Sequence, residues 1–329
     1  IGVDGSVFAA STLLEWEAIL GKQQINLNPN FRSELTKNLP SISTQKAFLL
    51  DTKHCGETAQ SKIKRICNST ECDLVLLTAL DDIAWTFNIR GKDVDFNPMT
   101  IAYGCVGRDE SFLFIDNAKL NESVIKQLKE SKITPLPYTH IKEFIHQVNQ
   151  SKQTISVDGT KTNYTIYNLI DESLRRDEPS IATNFKAQKN AIEIENIRNA
   201  MKKDGAALCN ALSQIEERVR SGDYPTEYEV GEILHENRQL STDFYCDSFA
   251  PIVGFGKNGA IVHYSAKKED SKEITRDNLL LIDSGGNYLC GTTDITRTFC
   301  FGEATTQQKQ DYTLVLTGHI ALARQSFPS

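Results

Sequence analysis

Apolar positions follow two different periods along this chain. Residues 11–20 (STLLEWEAIL) place them at helical spacing, with Ser11 able to cap the first turn and Gly21 just past the last. Residues 25–27 read as a short strand closed by the turn signal Asn28-Pro29-Asn30. From about residue 34 the signals alternate: a helix over 60–67, an uninterrupted apolar strand within 73–78 (DLVLLT), strands over 101–106 and 111–115, a helix over 122–131, a strand over 155–157 and a short helix over 164–171. Strands alternating with helices predict an α/β domain around a central sheet. The N-terminal helix and strand are too small to bury a core of their own and are expected to lean on that domain.

Glu178-Pro179-Ser180 marks a second boundary. Beyond it, Ile192, Ile194, Ile197, Met201, Ala206, Leu208, Leu212 and Ile215 fall near helical periodicity and predict one long amphipathic helix over 187–215. Thr226 with Glu229 three residues on forms a capping box, which starts a helix running to about residue 240. A strand over 249–254 enters the glycine-rich GFGKNGAIVHYSA, and His263 stands on a strand-like run over 260–264. Two more strand signals follow, over 279–282 and 292–301, each beside an aspartate. Alternation along the second puts Asp294, Thr296 and Thr298 on one face and Ile295, Arg297 and Phe299 on the other. If the two strands are neighbours, Asp283 and Asp294 meet on one patch of sheet.

Two carboxylates in that arrangement have two readings. One is a polar sheet face with aspartates capping turns beside Gly and Asn. The other is a cation site, because like charges a few ångströms apart are costly unless a metal or a proton separates them. Carboxylate ligands suit Mn²⁺, with Zn²⁺ or Co²⁺ as alternatives. His263 is likewise open between a hydrogen-bonded structural residue and an acid/base or substrate-contacting one. In the first half, Trp85, Arg90 and Asp93 cluster in sequence; an Arg in such a place ties a loop to a nearby carboxylate more often than it meets a ligand. His54, His140 and His146 lack partners at ligand spacing and read as surface or packing residues.

The 329 residues suggest two domains, and 40% hydrophobic with 24% charged residues is ordinary globular composition. A net charge of −7 gives no reason to expect nucleic acid or an anionic membrane surface as partner. No run approaches the roughly 18 apolar residues of a membrane span. Eight cysteines at irregular spacing do not make a disulfide scaffold, and CNSTEC lacks the second pair of a zinc ribbon. Reduced thiols fit a cytoplasmic protein. The sequons at Asn68, Asn121, Asn149 and Asn163 would matter in a secreted form, and the first residue, Ile1, leaves room for a leader upstream.

The runs GKNGAIVHYSA, LLLIDSGGNYLCGTTDITRTFCFG and YTLVLTGHIALARQSFP resemble the first half of the catalytic domain of aminopeptidase P, the Xaa-Pro aminopeptidase, which shares the pita-bread metallopeptidase fold with prolidase and methionine aminopeptidase. ALDDIAWTFNIRGKDVDFNP resembles the middle domain of the three-domain eukaryotic-type enzyme, and IGVDGS the end of its first domain. The resemblance implies an α/β chain divided as 1–33, the tail of an upstream α/β domain; 34–185, a creatinase-like middle domain; and 186–329, the N-terminal half of the pita-bread domain. It further implies that Asp283 is a metal ligand, that Asp294 bridges two divalent ions, usually Mn²⁺, and that His263 contacts the scissile region of the substrate. Activity and partner follow in the same way: removal of the N-terminal residue from peptides with proline second, no nucleic acid, no membrane, and a homodimer. Proline calls for a dedicated enzyme because its imide nitrogen donates no hydrogen bond and its ring fixes the chain.

The family's remaining ligands, a histidine and two glutamates, and a further histidine in an HGTGH-like segment have no counterpart before Phe327; His319, in TGHIAL, is not one of them. With two of the five ligands present, the chain is expected to be an incomplete piece of the enzyme, inactive alone and a poor binder of metal, with apolar helix and sheet surface left exposed. Two other readings are a catalytically dead pita-bread module that binds peptides, as in some histone chaperones, and a prolidase cutting Xaa-Pro dipeptides. The constellation Asp283, Asp294 and His263 speaks against the first, and the extra middle domain against the second.

Overall fold

The uninterrupted apolar run Leu74–Leu77 is the central clue to the first half, because a strand buried on both faces needs apolar residues at every position. In the computed structural model, which describes residues 1–28 and 43–327, all four of its residues are buried. Leu74 and Leu76 face one hydrophobic cluster, and Val75 and Leu77 face another. The Pro29-Asn30 turn signal, the division at 33/34 and Pro328-Ser329 lie outside the described residues.

The chain falls into two compact units, Ile1–Asn196 and Ile197–Ser329. The strands of the first unit are β1 (Gly2–Val3), β2 (Asn26–Leu27), β3 (Phe48–Leu49), β4 (Leu74–Leu77), β5 (Ile89–Arg90), β6 (Ala102–Gly107), β7 (Ser111–Ile115), β8 (Ile133–Pro137), β9 (Ile155–Val157) and β10 (Arg175–Asp177). Six of them form a mixed sheet in the order β10-β9-β4-β6-β7-β8. The helices Ala59–Asn68 and Glu122–Glu130 cover one face through Ile63, Ile66, Val124 and Leu128, and the helix Ile141–Ser151 covers the other through Ile145 and Val148. Val3, Ala10 and Leu13 complete that second cluster, so the N-terminal helix does lean on the sheet. That helix, Ala10–Leu20, is not capped by Ser11; its N-cap is Ala9, which brings no side-chain bond.

Two polar clusters within this unit are structural. Arg90 donates to the carbonyl oxygens of Ala84 (2.6 Å) and Ile89 (3.0 Å), so it secures its loop through backbone and not through the expected carboxylate. Asp93 accepts from Thr100 (2.8 Å), from the Ile101 amide (2.7 Å) and from buried Lys119. Trp85 lies under Lys62, whose Nζ is 4.6 Å from the ring centroid; burial lowers this amine to about 8.

Asp82, 1% exposed, accepts from Lys161 (3.0 Å), Lys186 (2.7 Å), Ser180 (2.8 Å) and Thr183 (2.8 Å). Burial works to raise its carboxyl, but the bonds from Lys186, Lys161, Ser180 and Thr183 outweigh it and hold the carboxyl below 3.8. A depressed folded value contributes stability that is complete above the unfolded value and lost as pH falls through the folded one. Denaturant titrations between about pH 5 and pH 2 are therefore expected to show an acid limb for this unit that Asp82→Asn flattens; equal slopes for the two proteins would refute the assignment.

The second unit carries β11 (Phe244–Asp247), β12 (Ile252–Phe255), β13 (Leu279–Ser284), β14 (Gly286–Tyr288), β15 (Gly291–Thr292) and β16 (Ile295–Cys300) in two antiparallel three-stranded sheets, β12-β13-β16 and β11-β14-β15. The expected long helix over 187–215 is one helix, Ala191–Ser221, preceded by the separate helix Ile181–Ala187; Asn190 caps the long helix and donates to the Cys55 carbonyl (2.9 Å). The capping box of Thr226 and Glu229 starts the helix Glu227–Gln239. Ala211, Ile215, Val219, Val230 and Leu234 of these helices pack on Val253, Leu280 and Ile282. The last helix, Thr306–Ala323, has no buried residue, and Leu314, Val315 and Leu322 on it are 70%, 74% and 65% exposed.

Candidate metal centre

Burial alternates along β13: Leu280, Ile282 and Ser284 are buried, leaving Leu279, Leu281 and Asp283 on the half-buried opposite face. Asp283 is paired with Ile252 on one side and Thr296 on the other, so it stands on the middle strand of its sheet. Asp294 lies just before β16 and, like Thr296, is exposed where Ile295 between them is buried.

What brings the second acid in is the segment between β13 and β16, which passes through β14 and β15. A Cβ on Gly285 would lie 2.0 Å from the Thr293 carbonyl oxygen and 2.5 Å from Ser248 Oγ, so only glycine fits this approach. Ser248 Oγ donates to the same carbonyl (2.9 Å), and its amide donates to the Gly285 oxygen (3.0 Å). The Gly286 amide donates to Thr293 Oγ1 (2.9 Å), and the Thr293 amide to the Gly286 oxygen (2.9 Å). These bonds stitch the residue before Asp294 to the two after Ser284.

The consequence is electrostatic. Burial first, then the charge of Asp283 and a carboxyl–carboxyl hydrogen bond to it, push the Asp294 carboxyl above 3.8. Asp283 Oδ1 is shut off from water and has no hydrogen-bond partner among the described residues. A buried acceptor without a donor, beside a second carboxylate that resists ionising, is a place short of positive charge, and two carboxylates are donors that hard divalent cations take. The pair therefore fits such an ion. Among the described residues no group of three or more His, Cys, Asp and Glu side chains converges as a metal cluster.

His263 is placed differently from expectation. Residues 260–264 are not a strand: the glycine-rich loop winds into the short 3-10 helix Gly256–Ala260, and His263 follows on an exposed turn with φ 57°. The periodicity misled because Ile261 and Val262, which suggest a strand, are 53% and 82% exposed. No hydrogen bond or ion pair among the described residues ties His263 to either acid. Its turn is nonetheless anchored. Glu227, fully buried, accepts from the Phe255 amide (2.7 Å), Asn258 Nδ2 (3.0 Å), the Tyr264 hydroxyl (2.8 Å) and the Lys272 amide (3.2 Å). Burial and Glu227 together push the Tyr264 hydroxyl up to about 12, so it stays a donor. Sequence reasoning passed over Glu227, because a glutamate in a helix's first turn looks like ordinary dipole compensation.

Residues 38–193 match the family model of the Creatinase/Prolidase N-terminal domain, and residues 195–329 that of metallopeptidase family M24. The chain therefore carries a domain similar to the creatinase-type N-terminal domain followed by one similar to the M24 metallopeptidases, whose fold is the pita-bread fold. Within them it is similar to Xaa-Pro aminopeptidases. It is 32% identical to that of Drosophila melanogaster over all of this chain and 55% of the relative, and 35% identical to that of Dictyostelium discoideum over 91% of this chain and 48% of the relative. The crystal structure of X-prolyl aminopeptidase from Caenorhabditis elegans, described as a cytosolic enzyme with a di-nuclear active site, superposes with a TM-score of 0.92 at 29% identity, covering all of this chain and 55% of that one. The prolidase of Pyrococcus horikoshii, at 18% identity and a TM-score of 0.60, shares the fold. The chain thus spans about half the length of the curated relatives it matches.

Proposed function

We propose that this chain is part of the machinery of an Xaa-Pro aminopeptidase, with Asp283 and Asp294 as carboxylate ligands of two divalent cations, Mn²⁺, and His263 as the substrate-contacting imidazole. The observation that carries the reading is the opposed acid pair with the partnerless Asp283 Oδ1. The similarity to Xaa-Pro aminopeptidases over the full chain supports the substrate class, peptides with proline second.

Bound divalent ions supply an acidified water and an electrophile for the scissile carbonyl. The chain's own part is to hold Asp283 on a central strand, carry Asp294 to it through the Gly285–Thr293 stitch, and offer His263 from a turn fixed at Tyr264 and Asn258. In the left-handed backbone conformation of His263, the side chain leaves the turn in a direction that a strand would not give it.

A cytoplasmic location and a homodimer belong to the same proposal. Two of the four sequon nitrogens are already engaged, Asn149 Nδ2 with the Leu169 carbonyl (2.8 Å) and Asn163 Nδ2 with Tyr103 (3.3 Å), so a glycan on either would crowd a structural bond, which supports the first.

The test separates site from substrate. Titration of the 329-residue chain with Mn²⁺, followed by electron paramagnetic resonance, is expected to show weak uptake that Asp294→Asn removes. Peptide hydrolysis is measured on the full encoded polypeptide, with release of the first residue from an Xaa-Pro peptide as the signal. The 329 residues by themselves contribute two acidic ligands and are expected to give no turnover. Hydrolysis that favours peptides lacking proline at the second position would overturn the substrate class, and absence of Mn²⁺ uptake would overturn the site.

A further inference from the structure

Beneath the acid pair, on the opposite face of β13, lies a fully buried polar group that none of the chemistry above uses. Asp204 and Arg238 are 0% and 1% exposed. Arg238 Nε donates to Asp204 Oδ1 (2.7 Å), and its Nη2 reaches Asp204 Oδ2 (3.4 Å) and Ser284 Oγ (3.0 Å). The Tyr288 hydroxyl donates to Asp204 Oδ1 (2.9 Å). Gly286, between Ser284 and Tyr288, lies over the Arg238 side chain, and a Cβ there would be 3.3 Å from Arg238 Cδ.

We propose that the Asp204–Arg238 ion pair is a positioning device for the metal-binding acids: by gripping Ser284 and Tyr288 it sets the orientation of Asp283 and the path of the turn that delivers Asp294. The inference rests on the metal-site reading above and adds residues to it. Ser284 is the next residue after Asp283, and strand alternation turns the two side chains to opposite faces. Holding Ser284 Oγ from below therefore fixes the rotation of β13 at its end, and with it the direction in which the Asp283 carboxylate points. Tyr288 holds the far side of the turn to the same carboxylate, so both ends of residues 284–288 are referred to one rigid point.

Two physical arguments favour positioning over plain stability. A buried ion pair is seldom more stabilising than apolar residues of the same volume, so its placement directly under a functional strand calls for a geometric explanation. Two carboxylates facing each other also repel when both are ionised and no cation is present, and a stiff frame is what keeps them facing each other.

Ser284→Ala removes the grip and leaves the Asp204–Arg238 pair and both acids in place. Val219→Ala, in the same unit's core and outside the network, serves as the control for lost stability. Mn²⁺ affinity and thermal melting are measured on the full 329-residue chain. Ser284→Ala is expected to weaken Mn²⁺ binding about 10-fold, while Val219→Ala lowers the melting temperature at least as much and leaves affinity unchanged. Unchanged affinity in Ser284→Ala, or equal loss in both variants, overturns the proposal. If the unsubstituted chain takes up no Mn²⁺, the metal reading fails by itself, and amide hydrogen exchange decides the positioning claim. Faster exchange in Ser284→Ala confined to residues 283–288 and 293–296 supports it; exchange unchanged there, or raised throughout the unit, overturns it.

Discussion

Replacing Asp204 by alanine is expected to cost the second unit about 3–5 kcal/mol, the range for breaking a buried pair by removing one partner. The carboxylate is the acceptor for two nitrogens of Arg238 and for the Tyr288 hydroxyl. Its loss leaves a guanidinium that is 1% exposed with no counter-charge, and Arg238 Nη1 already lacks a partner among the described residues. Urea unfolding would register this as a midpoint lowered by about 2 M, taking a slope of about 2 kcal/mol/M. Removing both charges in Asp204→Ala/Arg238→Met should recover much of the loss, because no ion is then left without a partner. A loss below about 1 kcal/mol in the single variant would show that water reaches the guanidinium and that the pair is not sealed.

Asp283→Asn is expected to separate function from stability in the opposite sense. The change removes one of two facing negative charges, so the metal-free chain should be no less stable than the parent, and the Asp294 carboxyl, still raised by burial, should lose the further rise that the Asp283 charge adds. The same change removes a ligand, and Mn²⁺ affinity should fall by more than about 100-fold, beyond the loss typical of outer partners. Sites kept in a strained, like-charged state for the sake of a ligand show this trade between stability and activity. Paired measurements decide it: a melting curve without metal and a Mn²⁺ titration. A variant that melts lower without metal and still binds Mn²⁺ would show that the carboxylate is structural, an acceptor whose donor is missed.

Much of the fold was legible in local pattern. The apolar run at Leu74–Leu77 announced a strand covered on both faces, and the Thr226–Glu229 capping box placed its helix start to the residue. Ile155–Val157 and Ser111–Ile115 follow their β-branched and aromatic composition. Errors fell where a tertiary partner outbid the local signal. Residues 260–264 carry strand-forming side chains, but Glu227 captures Asn258 and Tyr264 and bends the segment into a turn. Ser11 is a good cap by type, yet the helix starts one residue before it, at Ala10, where the amides of Ala10 and Ser11 bond to the carbonyls of Thr162 and Gly159.

The sequence by itself determined that one strand carries Asp283 and that another begins beside Asp294, because alternation and the Ser-Gly-Gly-Asn break depend only on neighbours a few residues apart; that the two strands pair was decided by the tertiary structure. It also carried the resemblance that links these acids to metallopeptidase chemistry. Only the tertiary structure decided that the two carboxylates oppose each other, that the Thr293 carbonyl leaves no room for a Cβ on Gly285, and that Asp204, Arg238 and Tyr288 converge under Ser284. Those facts join residues up to 84 positions apart. A buried charge leaves no periodic trace in a sequence, since its partner is set by how helices dock on the sheet and not by spacing along the chain.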